Sequence, residues 1–536
     1  MSMRFVRLGV VTVLAMAAAV PGVAHAHGSA AEHLAEDAVE HSAALEQRLD
    51  RHTRLATASD ARVAAATTAV AATPDPHDVG RWAGLRDWPV VGVHVALLPN
   101  RKVLAYDSVG DNPTESYEEH TFTRATVWSP STGSHAPVNV DTGFNIFCSG
   151  LAHLANGLLF IAGGNKDSQL HGIVQTHVFD HVNMAWQLGA TMAAERWYPS
   201  VTPLRNGEML ITEGGPDIPE VRETTGALRA LTAASAQLPL YPWLDVAPDG
   251  RAFYSGPSAT LRALNPDGLG RWEQFGKRDG VNRDYGGHAL FDVGKILVAG
   301  GGASIADARV IDINGATPQV AKTAPMAFGR RQHNLTVLAD GSVLATGGNS
   351  SGASLVDLAH GVYAPELWNP ATGTWRTLAP ERATRQYHST ALLLPDGRVL
   401  SAGGGICGTC DSVGYLAKNA QVFSPPYLFK SDGSGQRAPR PVISRSPARV
   451  RYATSMRLDS VQAASIRKVA LVRLGAVTHS VNMEQRYVPL AFTASAGSLT
   501  ATAPANANIA PPGVYMLFVI DDAGVPSAAR MVTLMP

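Results

Sequence analysis

The stretch RQYHSTALLLPDGRVLSAGGGICGTC, from Arg385 to Cys410, decides the fold of this chain. An apolar run is followed by the turn Pro395-Asp396-Gly397, a second apolar run and three glycines, which is the pattern of a β-hairpin. Tyr387 and His388 stand side by side at its front. Because neighbouring side chains of a strand point to opposite faces, we expect both to serve one site only where the strand begins or bends.

The same hairpin unit recurs along the chain, with a period of roughly fifty residues like that of kelch repeats. The seven copies begin at His94, Cys148, Tyr198, Tyr241, His288, His333 and Tyr387. Each is a strand, a tight turn and a second strand ending in small residues, and later strands such as APELWNPATGTW (364–375) would complete each sheet. A radial array of four-stranded sheets accommodates this pattern. We therefore predict a seven-bladed, kelch-like β-propeller over residues 78–430.

The segments outside the repeat differ in composition. Residues 1–26 contain basic residues, an apolar run and a small-residue cleavage point, which is the layout of a secretory signal peptide. Residues 27–77 are rich in alanine and predict a helical leader or linker. Residues 438–536 predict an immunoglobulin-like β-sandwich, because short strand patterns follow a polar linker. The expected fold class is all-β, and the protein is expected to be exported, as a secreted, periplasmic or cell-surface protein.

Charge and hydropathy argue against two kinds of partner. The 536 residues include 44 basic and 44 acidic ones, so the formal net charge is zero and nothing favours nucleic acid. The apolar run of the signal is too short for a stable membrane span, and no later stretch is long enough. We expect no nucleic-acid partner and no transmembrane segment.

Three cysteines in an exported chain leave one of them unpaired. Cys407 and Cys410 could form a small disulfide in an oxidising compartment. The alternatives are a redox pair, which usually lies at a helix N-terminus in a strand–helix fold, and half of a zinc site, whose second half is missing here. We favour the disulfide. Cys148 is then the odd thiol, and alone it would be interpreted as a small buried residue.

Four parts of the chain together resemble one enzyme family. They are the stretch from Arg385 to Cys410, FCSG (147–150), RWYPSV (196–201), and a C-terminal pair, THSVNMEQRYVPL from Thr478 with PPGVYMLFVIDDAGVPS from Pro511. The first resembles the copper-binding Tyr-His strand of the copper radical oxidases, the family of galactose oxidase and glyoxal oxidase. FCSG resembles that family's motif with the cross-linked cysteine, RWYPSV the motif with the cross-linked tyrosine, and the last pair the C-terminal domain. RWYPSV resembles the glyoxal oxidase form of its motif and favours that branch.

The resemblance implies one copper ion per chain, held by Tyr198, Tyr387, His388 and His479. Imidazole nitrogens and oxygen ligands suit Cu(II). Oxidation of an alcohol removes two electrons, whereas one copper ion accepts one, so the family adds a tyrosyl radical whose ring is joined to a cysteine by a thioether. Here these residues would be Tyr198 and Cys148, and Tyr387 would take the hydroxyl proton of the substrate. The implied reaction oxidises a small aldehyde hydrate or primary alcohol and reduces O2 to hydrogen peroxide.

Departures from galactose oxidase argue against a sugar substrate. That enzyme has an arginine and a glutamine where this chain has Tyr241-Pro242-Trp243 and Asn349. A sugar pocket needs such polar groups to match the hydroxyls. The tryptophan that stacks over the thioether in galactose oxidase also has no counterpart at the same place. Trp197 and Trp243 are candidate substitutes, although a packing role is the favoured interpretation of each.

Two other classes of function are open on the sequence alone. A non-catalytic kelch-like propeller would bind glycans or protein partners, would bind no copper and would tolerate the loss of Cys148. A metal-free glycosidase would need paired carboxylates, whereas the blade starts carry Tyr, His and Cys. The combination of those three residue types at the blade starts favours the oxidase.

Overall fold

The computed structural model of the chain describes residues 74–111, 120–167, 169–352 and 354–536. The predicted signal peptide, and the predicted helical leader up to residue 73, lie outside the described residues. Within them, the helical elements are α1 (Pro76–Val79), α2 (Gly408–Ser412) and the 3-10 turns Leu358–His360, Pro426–Leu428 and Ala463–Ser465. None of the helices in the described part of the chain has the length and apolar character needed to cross a membrane.

Seven antiparallel sheets form the blades of a propeller, and each predicted hairpin supplies the two inner strands of one blade. The first four blades consist of β3 (His94–Leu97), β4 (Val103–Tyr106), β5 (Ala125–Trp128) and β6 (His135–Pro137); β7 (Gly150–His153), β8 (Leu159–Ala162), β9 (Thr176–Asp180) and β10 (Ala185–Leu188); β11 (Ser200–Pro203), β12 (Met209–Thr212), β13 (Glu220–Arg222) and β14 (Leu228–Ala230); and β15 (Trp243–Val246), β16 (Ala252–Gly256), β17 (Thr260–Asn265) and β18 (Arg271–Lys277).

The last three blades complete the ring and close it. They consist of β19 (Gly287–Asp292), β20 (Lys295–Ala299), β21 (Ala308–Asp312) and β22 (Gln319–Lys322); β23 (Arg331–Val337), β24 (Val343–Asn349), β25 (Glu366–Asn369) and β26 (Thr374–Thr377); and β27 (Ser389–Leu393), β28 (Val399–Gly403), β29 (Asn419–Ser424), β1 (Arg81–Trp82) and β2 (Arg86–Asp87). β1 and β2 both pair with β29, so the beginning of the propeller is hydrogen-bonded to its end.

The C-terminal part is a β-sandwich with its own core. Its apolar side chains, among them Leu471, Leu499 and Leu517, form one buried cluster between two sheets. The sheets are β30 (Arg449–Arg451), β39 (Arg530–Met535), β38 (Gly513–Asp521), β32 (Ile466–Arg473) and β35 (Tyr487–Leu490), and β31 (Ser455–Asp459), β37 (Ser498–Thr502) and β36 (Phe492–Ser495). The predicted fold class, a kelch-like propeller followed by an immunoglobulin-like early-set sandwich, is confirmed.

One hairpin of the C-terminal part leaves the sandwich and joins the propeller. It consists of β33 (Ala476–Thr478) and β34 (Val481–Asn482), and β33 pairs with β3 so that Thr478 lies opposite His94. Local patterning places this segment within the sandwich, because a pairing partner almost four hundred residues away leaves no local signal. The turn of the hairpin contains His479, at a left-handed φ of 48°. The hairpin thus holds His479 beside the inner strand of blade 1.

The residues that follow the hairpin fix it in the propeller. Glu484 accepts a hydrogen bond from Arg473 at 2.9 Å and lies 2.5 Å from Nδ1 of His153 in blade 2. Gln485 accepts a hydrogen bond at 2.6 Å from the backbone N–H of Val337 in blade 6. These side chains are buried. Because removing one partner of a buried ion pair costs about 3–5 kcal/mol, the position of His479 is strongly constrained.

Candidate metal centre

In six blades a left-handed residue other than glycine lies within two residues of the start of the inner strand. This backbone conformation is unfavourable for most side chains, and it persists where the surroundings enforce it. Here neighbouring strand starts are hydrogen-bonded to each other: the N–H of Tyr198 donates to Cys148 at 3.0 Å, and that of Tyr241 to Tyr198 at 3.0 Å. The six residues, with φ between 47° and 66°, are Cys148, Tyr198, Tyr241, Tyr285, Gln332 and His388.

Four predicted site residues come together in one buried cluster. The phenol oxygen of Tyr198 lies 2.6 Å from that of Tyr387 and 3.3 Å from Nε2 of His388. The rings of His388 and His479 lie 4.2 Å apart, at an interplanar angle of 76°. All four side chains are less than 9% exposed. Two phenols from blades 3 and 7 therefore meet two imidazoles, one of them from the C-terminal hairpin.

Local contacts orient both imidazoles. Nδ1 of His388 lies 2.7 Å from the carbonyl oxygen of Gly405; since a carbonyl only accepts, Nδ1 carries the hydrogen and Nε2 presents a lone pair. The carbonyl belongs to the last residue of the triple glycine. The chain can pass this close to its neighbours only without side chains, because a Cβ on Gly404 would lie 1.9 Å from the hydroxyl of Tyr415. In His479, Nδ1 lies 2.6 Å from the hydroxyl of Thr478. Such partners fix ring orientation and increase the basicity of the ligand.

Cys148, the cysteine outside the disulfide, lies beside these groups. Its sulfur is 4.0 Å from Nε2 of His479, and the donor atoms of Cys148, His388 and His479 all lie within 4.8 Å of one another. The thiol is 1% exposed. The structure thus places the predicted cross-linking cysteine in the same cluster as the predicted ligands.

Aromatic rings pack against Tyr198. Trp197 stacks on it with ring centroids 3.8 Å apart, and Tyr241 stacks on it at 4.6 Å. Trp243 instead stacks on His288, so of the two tryptophans considered from the sequence only Trp197 lies against Tyr198. Burial, and then the neighbouring Cys148 and Tyr387, raise the pKa of Tyr198 well above its usual value. Its phenol therefore needs a nearby cation to ionise near neutral pH.

A small cavity of about 20 Å³ adjoins the cluster. Its walls are mostly aromatic and aliphatic. The lining residues are Tyr198, Leu240, Tyr241, Trp243, Tyr285, Gly286, His479 and Val481.

The donor set fits a copper ion. Nε2 of His388 is oriented as a lone-pair donor by its contact with Gly405, and two phenol oxygens and a second imidazole lie around it. Imidazole and oxygen donors together suit Cu(II), whereas Ca²⁺ and Mg²⁺ prefer all-oxygen sites.

The structure joins Cys407 and Cys410 in a disulfide. The bridge packs in an apolar cluster with Tyr387 and Tyr415. The hydroxyl of Tyr415 accepts the backbone N–H of Gln386 at 2.7 Å. The disulfide therefore supports the backbone that presents Tyr387.

Sequence reasoning missed three residues of this site. Tyr241 begins a copy of the repeat, as Tyr198 does, and replaces a polar residue of galactose oxidase, but the sequence gives it no place in the metal site. Gly405 and Thr478 orient the imidazoles. Thr478 directly precedes His479 in the sequence, which is a possible signal, whereas the contact of Gly405 with His388 is visible only in the fold.

Comparisons with known proteins agree with this architecture. Residues 440–534 match the galactose oxidase-like early-set domain. Over 499 residues the chain is 32% identical to galactose oxidase of Gibberella zeae, covering 86% of this chain and 71% of that one. It is 27% identical to the aldehyde oxidase GLOX of Vitis pseudoreticulata, covering 82% and 91% of the two chains.

This chain is also similar to a solved structure of an oxidase. It is a fungal alcohol oxidase of the AA5 family in complex with copper, with a TM-score of 0.79 and 28% identity, covering 86% of this chain and all of that one. These relatives support an oxidase over a non-catalytic propeller or a glycosidase. The chain belongs to the copper radical oxidases, the family of galactose oxidase and glyoxal oxidase.

Proposed function

We propose that this enzyme oxidises small aldehydes, as their hydrates, or simple primary alcohols, and that O2 is reduced to hydrogen peroxide. One observation carries the proposal: the phenol oxygens of Tyr198 and Tyr387 and Nε2 of His388 converge in a buried cluster beside His479. These four residues would hold the copper ion. When bound, copper would accept one of the two electrons and bring the substrate oxygen to these side chains.

The chain's own residues would perform the remaining tasks. Tyr387, whose hydroxyl lies 2.6 Å from that of Tyr198, would accept the substrate's hydroxyl proton at its phenol oxygen. Tyr198, joined to Cys148 by a thioether, would supply the second redox centre as a radical and take a hydrogen atom from the substrate carbon. Burial of the cluster would keep bulk water from that radical.

The surroundings of the site support a small substrate rather than a sugar. Asn349, which replaces the glutamine of galactose oxidase, is fully buried, and its amide donates to Gln332 at 3.0 Å and to Ser354. Its hydrogen bonds are therefore already made within the protein. The adjoining cavity is lined mostly by aromatic and aliphatic side chains. A hexose with several hydroxyls would leave polar groups unpaired there, which is costly.

We also propose that the enzyme is exported through the signal at residues 1–26. The disulfide between Cys407 and Cys410 supports this, because such bonds persist in oxidising compartments.

The decisive experiment is a peroxide-release assay on protein loaded with copper and matured in air. Glyoxal, a short primary alcohol and galactose are compared at matched concentrations. We expect kcat/KM for the aldehyde to exceed that for galactose by about 100-fold or more. A preference for galactose would overturn the assignment of substrate.

The control for the radical is the variant Cys148→Ser. It should bind copper but release no peroxide, because the second redox centre is missing. Peptide mass mapping of the unsubstituted protein should show a reduction-resistant species that joins the Cys148 and Tyr198 peptides and is two hydrogens lighter than their sum. Full activity in the variant would contradict the thioether.

A further inference from the structure

Tyr241 contacts Tyr198, one partner of the proposed cross-link, and Ser149, the residue next to the other partner. Its backbone N–H donates to the carbonyl of Tyr198 at 3.0 Å, and its ring stacks on the ring of Tyr198 at 4.6 Å and 24°. Its phenol donates to the carbonyl of Ser149 at 3.0 Å, and Ser149 directly follows Cys148. One side chain thus spans from the face of the tyrosine to the peptide next to the cysteine.

The backbone at Tyr241 adopts a conformation that is unfavourable for a residue with a side chain. Its φ is 47°, in the left-handed region where glycine is the favourable residue. A glycine would relieve the backbone but would remove the ring and the phenol. The phenol is buried, and in the interior its hydrogen bond to Ser149 satisfies a group that is costly to leave unpaired.

Formation of the thioether requires accurate placement of two groups. The sulfur of Cys148 loses its hydrogen, a ring carbon of Tyr198 loses one hydrogen, and one C–S bond forms. The two electrons and two protons pass to O2, which becomes hydrogen peroxide, in a reaction that needs bound copper. Because the sulfur must meet a particular ring carbon, rotation of the Tyr198 ring or displacement of the cysteine would slow the reaction.

We propose that Tyr241 is a positioning residue for this cross-link, which rests on the function proposed above. Its ring restricts the rotation of the Tyr198 ring, and its phenol holds the peptide after Cys148 at a fixed distance from that ring. Tyr241 acts before turnover, during maturation of the enzyme, and is not itself a copper ligand.

The test separates the ring from the phenol. Tyr241→Phe keeps the ring and loses the bond to Ser149, while Tyr241→Leu loses both. Tyr106→Phe is the matched control, because the hydroxyl of Tyr106 also contacts Ser149, at 2.9 Å through the serine side chain, while its ring stacks on His94. Each full-length variant is prepared without metal, then given copper and air, and the cross-linked peptide is followed by mass over time.

We expect cross-link formation to slow about fivefold in Tyr241→Phe, as for one lost hydrogen bond of ~1 kcal/mol, and about 100-fold in Tyr241→Leu. Tyr106→Phe should mature within about twofold of the unsubstituted rate. Copper titration should give one ion per chain in all variants, since no ligand is changed. A purely structural role would lower the melting temperature without changing the cross-linking rate of the folded protein.

Two results would overturn the proposal. One is Tyr241→Leu that folds, binds copper and cross-links at the unsubstituted rate. If Tyr241→Leu does not fold, Tyr241→Phe decides instead. An unchanged cross-linking rate in Tyr241→Phe, or an equal slowing in Tyr106→Phe, would show that Tyr241 only packs. If the unsubstituted protein binds copper and never cross-links, the proposed function itself fails.

Discussion

Blades 6 and 7 begin with nearly the same residues and use them differently. Residues 330–348 read RRQHNLTVLADGSVLATGG, and residues 385–404 read RQYHSTALLLPDGRVLSAGG. The shared arginine has the same role in both. Arg330 pairs with Glu366 and Arg385 with Glu381, and each arginine donates at 3.0 Å to the carbonyl of the first glycine of its own blade.

The two blades differ in which residue adopts the left-handed conformation. In blade 6 it is Gln332, and strand pairing already includes His333, opposite Gly347. In blade 7 it is His388, and pairing begins one residue later, at Ser389. The two histidines occupy the same place in the sequence motif but differ by one position in the strand register. Their side chains therefore point in different directions. A one-residue difference in the backbone thus separates a core residue from a site residue.

The environments of the two histidines confirm this contrast. His333 is fully buried and packs so closely on blade 5 that a Cβ on Gly300 would lie 2.4 Å from its ring. Burial, and then the nearby Arg330 and Arg283, lower the pKa of His333 to about 3. His388 instead has its Nδ1 hydrogen-bonded to a backbone carbonyl and its Nε2 beside Tyr198.

The largest expected effect comes from removing each imidazole in turn. His388→Ala should weaken copper binding by more than about 100-fold, since loss of even an outer partner of a metal ligand costs 10–100-fold, and should abolish peroxide release. His333→Ala should keep copper and lose about 2–4 kcal/mol of unfolding free energy through the cavity it leaves. Copper titration and denaturant unfolding measure the two quantities. Equal loss of copper in both variants would refute the contrast.

A smaller effect concerns acid stability. The pKa of His333 is about 6.5 when unfolded and about 3 when folded, so the unfolded chain binds more protons between these values. Stability from this residue is present above about pH 6.5 and is lost as the pH falls towards 3. Between pH 7 and 4.5, His333→Gln should therefore lose less unfolding free energy than the unsubstituted protein, by up to ~3 kcal/mol.

Urea unfolding at the two pH values gives this difference directly. The dependence of the unfolding free energy on pH is compared between His333→Gln and the unsubstituted protein. An identical slope in His333→Gln would show that His333 does not titrate between the folded and unfolded states as its burial implies.

The repeat could be predicted from the sequence because its causes are local. Turn residues close each hairpin and small residues end it, so the pattern locates all seven inner hairpins. Cys148, Tyr198 and Tyr387 stood out because they begin copies of the repeat and match family motifs. Their roles as cross-link and ligands stay predictions, whereas the fold and the family are confirmed.

The remaining features depend on contacts between distant parts of the chain. The pairing of Thr478 with His94 and the stacking of Tyr241 on Tyr198 join segments that no local pattern relates. The register shift between blades 6 and 7 is set partly by a hydrogen bond from the N–H of Gln332 to the carbonyl of Tyr285, at 2.6 Å. A motif identifies such residues only as candidates.

The smallest expected effect tests the register directly. Gln332→Tyr gives blade 6 the Tyr-His pair of blade 7, yet copper should stay at one ion per chain, because His333 keeps its place in β23 opposite Gly347. The cost should be limited to about 1–2 kcal/mol, since the amide of Asn349 loses its bond to the Gln332 side chain. Metal analysis of the folded variant decides. A second bound copper would mean that the Tyr-His pair is enough to create a site. One copper would mean that the pair is not enough, as expected if the site also needs the left-handed conformation at the histidine and the nearby Tyr198 and His479.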